Sequence, residues 1–114
     1  MKTFDKQAAQ GDLLITKIDK LPAKVKKAES DGGKFILAHS ETGHHHTVLE
    51  QPGVEFYTTD DPLVAYLKVI DEVEVTLEHE RDFDTHESLL ISGGTYEIRR
   101  QREHTPEGFR QVAD

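Results

Sequence analysis

The chain has 114 residues and no cysteine. Disulfides, thiolate zinc sites and cysteine nucleophiles are therefore excluded. The sequence also has no apolar run near the roughly 20 residues that a membrane-spanning helix needs. Its first residues, Met1 to Gln7, contain no apolar signal-peptide core. We therefore expect no membrane segment, and a cytoplasmic location is the default expectation.

Positive charge is in short supply, because 14 Lys and Arg residues face 22 Asp and Glu residues, for a net charge of −8. A chain this acidic repels phosphate backbones, so we expect no nucleic-acid partner. Hydrophobic residues make up 35% of the sequence and suffice for one modest core. We predict a single domain over 1–114, with loosely ordered tails at 1–11 and 104–114.

Helical periodicity and the common catalytic motifs are also missing. There is no phosphate-binding glycine-rich loop, no Gly-x-Ser-x-Gly turn and no His-Glu-x-x-His helix. Apolar residues alternate instead, most clearly at Val73, Val75 and Leu77. Turn signals separate segments every 8–12 residues, which predicts strands over 13–18, 34–38, 46–50, 54–58, 63–70, 72–78, 86–91 and 95–100. The predicted fold is an all-β, single-domain sandwich or barrel of about seven to eight strands.

Histidine is abundant, with seven residues, three of them consecutive in Gly43-His44-His45-His46-Thr47-Val48. Alternate strand residues share a face, so His44 and His46 pair, and Glu50 has the same parity. Parity also places His79 on the inward face of its strand, and His86 enters the next strand. Imidazole and carboxylate groups bind first-row divalent ions. These residues predict a site for zinc or a similar metal ion, with His39, His45 and His104 as weaker candidates.

Two other interpretations of the histidines remain open. They could form a metal-free site for ligand binding or proton transfer, or they could have structural roles only. Glu72, Glu74 and Glu78 fit a solvated strand face better than a site. Arg99, Arg100 and Arg102 form a basic cluster, which we interpret as a feature of an edge strand rather than as an anion clamp.

The pattern His44-x-His46-x-x-x-Glu50 resembles the first metal-binding motif of the cupins. In that family two alternate histidines and a glutamate hold one metal inside a small β-barrel, and a later histidine completes the set. The resemblance gives that last role to His79 or His86. Ser92-Gly93-Gly94-Thr95-Tyr96 is similar to the turn near the second cupin motif. The chain lacks the glycine that cupins carry at a fixed distance before the first histidine.

A second resemblance covers most of residues 11–114. Its segments include Gly11-Asp12-Leu13-Leu14-Ile15, Glu41-Thr42-Gly43-His44-His45-His46, His79-Glu80, His86-Glu87 and Gly94-Thr95-Tyr96. They are similar to a group of small uncharacterised proteins from bacterial and prophage genomes. The resemblance implies one β domain in a phage or mobile-element setting, and it implies no defined activity.

Our first functional hypothesis is a divalent-metal-binding β domain, with metalloenzyme chemistry on a small substrate as an open question. The alternative is a non-enzymatic phage accessory or structural interaction module, in which the histidines are structural or respond to pH. A histidine-based enzyme without metal is a third hypothesis. Because small β domains with exposed strand edges often pair, we also expect a homo-oligomer or a protein partner.

Overall fold

The computed structural model describes residues 3–10, 12–38, 45–79, 88–100, 102–105 and 108–111. The strands are β1 (Gln7–Gln10), β2 (Leu13–Ile18), β3 (Lys26–Lys27), β4 (Lys34–Ala38), β5 (His46–Leu49), β6 (Val54–Thr58), β7 (Val64–Val69), β8 (Val75–His79), β9 (Leu89–Ile91), β10 (Gly94–Arg100), β11 (Arg102–Thr105) and β12 (Gly108–Gln111). This order confirms the all-β prediction. The described residues include no helix long and apolar enough to cross a membrane.

Ten of the strands form two antiparallel sheets. The larger sheet has the order β1-β2-β10-β7-β6-β3, and the smaller has the order β4-β5-β8-β9. Strands β11 and β12 form a separate hairpin. The sheets pack as a sandwich, and Phe35 of β4 meets Phe56 of β6 with ring centroids 6.0 Å apart.

The core lies between the two sheets and follows the alternation of apolar residues. Leu13 and Ile15 in β2, and Tyr96 and Ile98 in β10, are buried from the larger sheet. The smaller sheet contributes the buried side chains of Phe35, Leu37, Val48, Val75, Leu77, Leu89 and Ile91. Burial of these alternate positions is the main force that holds two such sheets together.

Strand β7 is the predicted central strand, and it lies between β10 and β6. Ala65, Tyr66 and Leu67 are consecutive and all buried, as the prediction of a strand covered on both faces requires. Lys68, which has the same strand parity as Tyr66, is exposed. That face of β7 is therefore no longer covered near the end of the strand.

The structure has strands in three stretches where the alternation of apolar residues predicts none. Strand β1 lies within residues 1–11, and strand β3 lies within residues 19–33. Most of the β11–β12 hairpin lies within residues 104–114. Small and polar residues such as Gln7, Ala8, Ala9 and Gln10 carry little apolar signal, so backbone pairing with β2 specifies β1 instead.

The strand predicted at 72–78 begins later, at Val75. Glu72 has a positive φ of 70°, and the N–H of Val73 donates to the carbonyl of Ile70 at 3.2 Å. These residues therefore form the turn between β7 and β8. The alternation continues in β8, where Val75 and Leu77 are buried.

Candidate functional site at the histidine end of the sandwich

Several strand ends meet at one end of the sandwich. His46 begins β5 and is the Cα partner of both Ala38, the last residue of β4, and His79, the last residue of β8. Gln10 ends β1 and Arg100 ends β10 in the other sheet. We call the region bounded by Gln10, Ala38, His46, His79 and Arg100 the histidine end.

His46 lies at the centre of this end and is only 1% exposed. Its Nδ1 is 2.8 Å from Oε1 of Gln10, and its Nε2 is 3.2 Å from Oδ1 of Asp12. The amide of Gln10 is oriented by a second bond, because its Nε2 donates to the carbonyl of Leu77 at 3.0 Å. Oε1 is therefore the acceptor, and Nδ1 of His46 carries a proton and donates it.

Asp12 links His46 to the arginine at the end of β10. The side chain of Asp12 is 1% exposed. Its Oδ2 accepts from Nε and Nη2 of Arg100 at 3.4 and 3.3 Å. A buried carboxylate without a partner would cost several kcal/mol, and the guanidinium, which is 17% exposed, supplies the compensating charge.

The hydrogen-bond directions define what this arrangement can hold. Arg100 favours the ionised form of Asp12, and an ionised carboxylate only accepts hydrogen bonds. Nε2 of His46 and Oδ1 of Asp12 are therefore placed to share a cation. That cation can be a proton, which makes the imidazole positively charged, or a metal ion that binds both atoms.

The structure describes some of the predicted metal ligands and not others. His46 is the buried residue described above, and the backbone of His79 lies opposite it in the ladder between β5 and β8. His44 and His86 lie outside the described residues. In the part of the chain that the structure describes, no group of three or more His, Cys, Asp or Glu side chains is placed to hold a metal ion.

Of the three weaker candidates, His45 is the one whose side chain lies within the described part of the chain. His45 is half-buried just before β5, and His104 lies in β11, where the structure describes the backbone. His39 lies outside the described residues.

Glu50 is at the opposite end of β5 from His46. It is exposed, and its N–H donates to the carbonyl of Gly33 at 2.9 Å. Four residues of extended strand span roughly 13 Å, so the structure does not bring Glu50 to His46. The carboxylate that stands beside His46 is that of Asp12, 3.2 Å away.

Sequence reasoning missed Gln10, Asp12 and Arg100, although the sequence carries signals for each. Gly11-Asp12 is a two-residue hairpin signal between two extended segments, and it would have placed Gln10 and Asp12 on a tight connection. Arg100 has the same strand parity as the buried residues Tyr96 and Ile98, so its side chain is expected to face inward. An inward guanidinium requires a negatively charged partner.

The assignment of the basic cluster to an edge strand was wrong for its first two members. Strand β10 lies between β2 and β7, inside the larger sheet. Arg99 is exposed and bonds Glu97 at 3.2 Å on the strand surface. Arg100 instead reaches the buried Asp12.

Fold and site together define a small all-β sandwich with a buried His–Asp–Arg network at one end. The chain belongs to a protein family described as a domain of unknown function (DUF8820), whose model matches residues 9–101. The match runs from within β1 to just beyond β10, so it includes both sheets and every residue of the network. Comparison with curated proteins and with solved structures gave no match.

Proposed function

We propose that the protein binds a divalent metal ion at the histidine end, with Nε2 of His46 and Oδ1 of Asp12 as two of its ligands. The observation that carries the proposal is the 3.2 Å separation of these two buried atoms. Ligand atoms about 2.0–2.1 Å from one ion lie roughly 2.9–3.4 Å apart for angles between 90° and 109°. An ion therefore fits between them without a large movement.

The surrounding contacts support this proposal. Metal-binding histidines usually donate their other ring N–H to a fixed acceptor, and metal-binding carboxylates are usually hydrogen-bonded on their free oxygen. Here Nδ1 of His46 bonds Gln10, and Oδ2 of Asp12 accepts from Arg100. In each proposed ligand, the atom that would not bind the metal is hydrogen-bonded to a neighbouring side chain. These hydrogen bonds fix the orientation of both ligands, as a rigid site requires.

Further ligands would come from the histidines predicted from the sequence. Residues 39–44 follow Ala38 in the sequence and residues 80–87 follow His79, and these stretches contain His44 and His86. We propose that histidines from these segments or from position 79 complete the site, with zinc or another first-row ion as the metal. Asp12 replaces Glu50 as the proposed carboxylate ligand.

The test compares two carboxylates of the same chain. Asp12→Asn keeps the shape of the side chain but removes the negative charge, and we expect zinc affinity to fall about 10- to 100-fold or more in calorimetric titrations. Glu50→Gln is the matched control and should bind zinc like the native protein. A circular dichroism melting curve of each variant establishes that it is folded. Equal zinc affinity of Asp12→Asn and native protein, both folded, contradicts the proposal.

One observation favours the alternative function of an interaction module. Among the described residues, the large apolar side chains left open to solvent are Leu49, which is 65% exposed, and Ile70, which is 50% exposed. If they belong to an interface, sedimentation analysis of the native protein should show a dimer or larger species. Leu49→Glu combined with Ile70→Glu should then yield a monomer, whereas a monomeric native protein removes this support.

A further inference from the structure

A second feature of the molecule lies on the far side of Arg100. A cleft of about 370 Å³ opens between the edge strand β4 and the larger sheet. Its lining residues are Ile36, Leu37, Ala38, Phe56, Thr58, Thr59, Asp61, Pro62, Val64, Ala65 and Arg100. We call it the Arg100 cleft. Its volume lies at the small end of the range for small-molecule sites, about 300–1,000 Å³.

The walls of the Arg100 cleft differ in chemistry. One side is apolar, with Ile36, Ala38 and Phe56 among its residues, and the other follows the turn between β6 and β7. Asp61 lies in this turn, and its Oδ1 already accepts the N–H of Leu63 at 2.9 Å. One oxygen of the Asp61 carboxylate is therefore already hydrogen-bonded within the turn.

Arg100 is the one cationic residue among the described lining residues. A guanidinium has five N–H donors, and Arg100 directs Nε and one N–H of Nη2 to a single oxygen of Asp12 at 3.4 and 3.3 Å. Three donors remain, and within the described part of the chain no other acceptor is bonded to them. A guanidinium with spare parallel N–H groups is suited to a second carboxylate.

We propose that the Arg100 cleft binds a small organic monocarboxylate, with its carboxylate on Arg100 and its apolar body against Ile36, Ala38 and Phe56. The net charge of −8 disfavours multiply charged anions such as phosphate esters. The guanidinium of Arg100 is already paired with Asp12, so its remaining donors can hold one singly charged carboxylate, whereas a multiply charged anion would leave a large uncompensated charge. The apolar wall selects a ligand with a short acyl or aromatic body.

Carboxylate binding in the Arg100 cleft is a different activity from metal binding and can be tested with the metal removed. Arg100 contacts Asp12, so a ligand in the cleft would lie beside the proposed metal site, but its recognition by Arg100 needs no ion. The measurement of carboxylate binding in the cleft and the measurement of zinc binding can therefore succeed or fail separately.

The experiment is an NMR titration of isotope-labelled protein with butyrate and with benzoate in low salt and a chelator. We expect saturable shifts at amides lining the cleft, such as those of Ala38, Thr58 and Ala65. The neutral isostere benzamide should bind about tenfold more weakly or worse, because it lacks the charge that Arg100 recognises. Equal affinity for benzoate and benzamide, equal affinity for inorganic phosphate, or no saturable shift with either carboxylate overturns the proposal.

Three variants locate the site. Arg100→Met should abolish benzoate binding, whereas Arg99→Met, on the same strand but exposed, should leave it unchanged. Because Arg100→Met also removes the partner of Asp12, Thr58→Glu provides a second test at an exposed position of the cleft. Its negative charge should weaken benzoate about tenfold while the protein stays folded, and unchanged affinity in Thr58→Glu contradicts the assignment.

Discussion

At the scale of single residues, the histidine end has an almost completely buried histidine at its centre. His46 is 1% exposed, yet both of its ring nitrogens have polar partners from the other sheet. Buried polar groups are tolerated when they are satisfied, and here the satisfying groups are themselves fixed by Leu77 and Arg100. Such a network fixes the orientation of the imidazole. A metal site needs a fixed orientation, whereas a histidine that only packs in a core does not need one.

A second group of polar residues lies on the surface of the larger sheet, away from the histidine end. Glu55 accepts a hydrogen bond from the hydroxyl of Tyr57 at 2.6 Å and another from Nζ of Lys27 at 3.2 Å. The tyrosine hydroxyl, with help from Lys27, holds the pKa of Glu55 below its usual value. The same bond raises the pKa of Tyr57 to about 12.

The signs of these two pKa shifts predict a pH dependence. The lowered pKa of Glu55 contributes stability that is present above its unfolded pKa, about 4.3, and is lost as the pH falls through the folded value. The raised pKa of Tyr57 contributes stability that is present below about pH 10 and is lost as the pH rises through about 12.

Tyr57→Phe should raise the pKa of Glu55 towards its ordinary value, because the main donor to the carboxylate is removed. Titration of the Glu55 side-chain carboxyl carbon by NMR measures this directly. Tyr66→Phe changes the Cα partner of Tyr57 on the neighbouring strand and serves as the control. An unchanged pKa of Glu55 in Tyr57→Phe contradicts the assigned hydrogen bond.

At the scale of elements, the β1–β2 hairpin brings polar groups to the smaller sheet. Strand β1 has four residues and pairs with β2, from Gln7 opposite Thr16 to Gln10 opposite Leu13. Gln10 at its end and Asp12 in its connection supply both described partners of His46. Strand β1 is short and has little apolar surface. Its position is therefore set by its backbone pairing with β2 and by the contacts of Gln10 and Asp12 with His46.

Strand β7 lies inside the larger sheet and carries part of the buried core. Leu67 is fully buried and lies on a strand flanked by β10 and β6. Leu67→Ala should lower the free energy of unfolding by about 2–5 kcal/mol, because it removes buried methyl groups and leaves a cavity. Leu49→Ala, at 65% exposure, should change it by about 0.5 kcal/mol or less. Urea unfolding measures both, and similar losses in the two variants contradict the assigned core.

At the scale of the whole molecule, the strands with strong apolar alternation could be predicted from the sequence. Val75 and Leu77 in β8 show why, since burial on one face imposes a period of two. The strands β1 and β3 could not be predicted in this way, because their residues are small, polar or charged and only their partners define them.

The candidate site could be predicted only in part for a similar reason. Strand parity identified His46 and linked it to His79, and the two are Cα partners. Glu50 was chosen because it has the same strand parity as His46, whereas the carboxylate beside His46 is that of Asp12, from the β1–β2 connection. Contacts between sheets depend on how the sheets pack, and the alternation within one strand does not encode them.

The proposed metal site can be tested by anomalous diffraction at the zinc absorption edge from crystals of the tag-free protein grown with zinc. We expect one strong anomalous peak per chain at the histidine end, about 2.0–2.2 Å from both Nε2 of His46 and Oδ1 of Asp12. A peak elsewhere on the surface, or an unoccupied gap in which Nε2 of His46 still hydrogen-bonds Asp12 at saturating zinc, would contradict it.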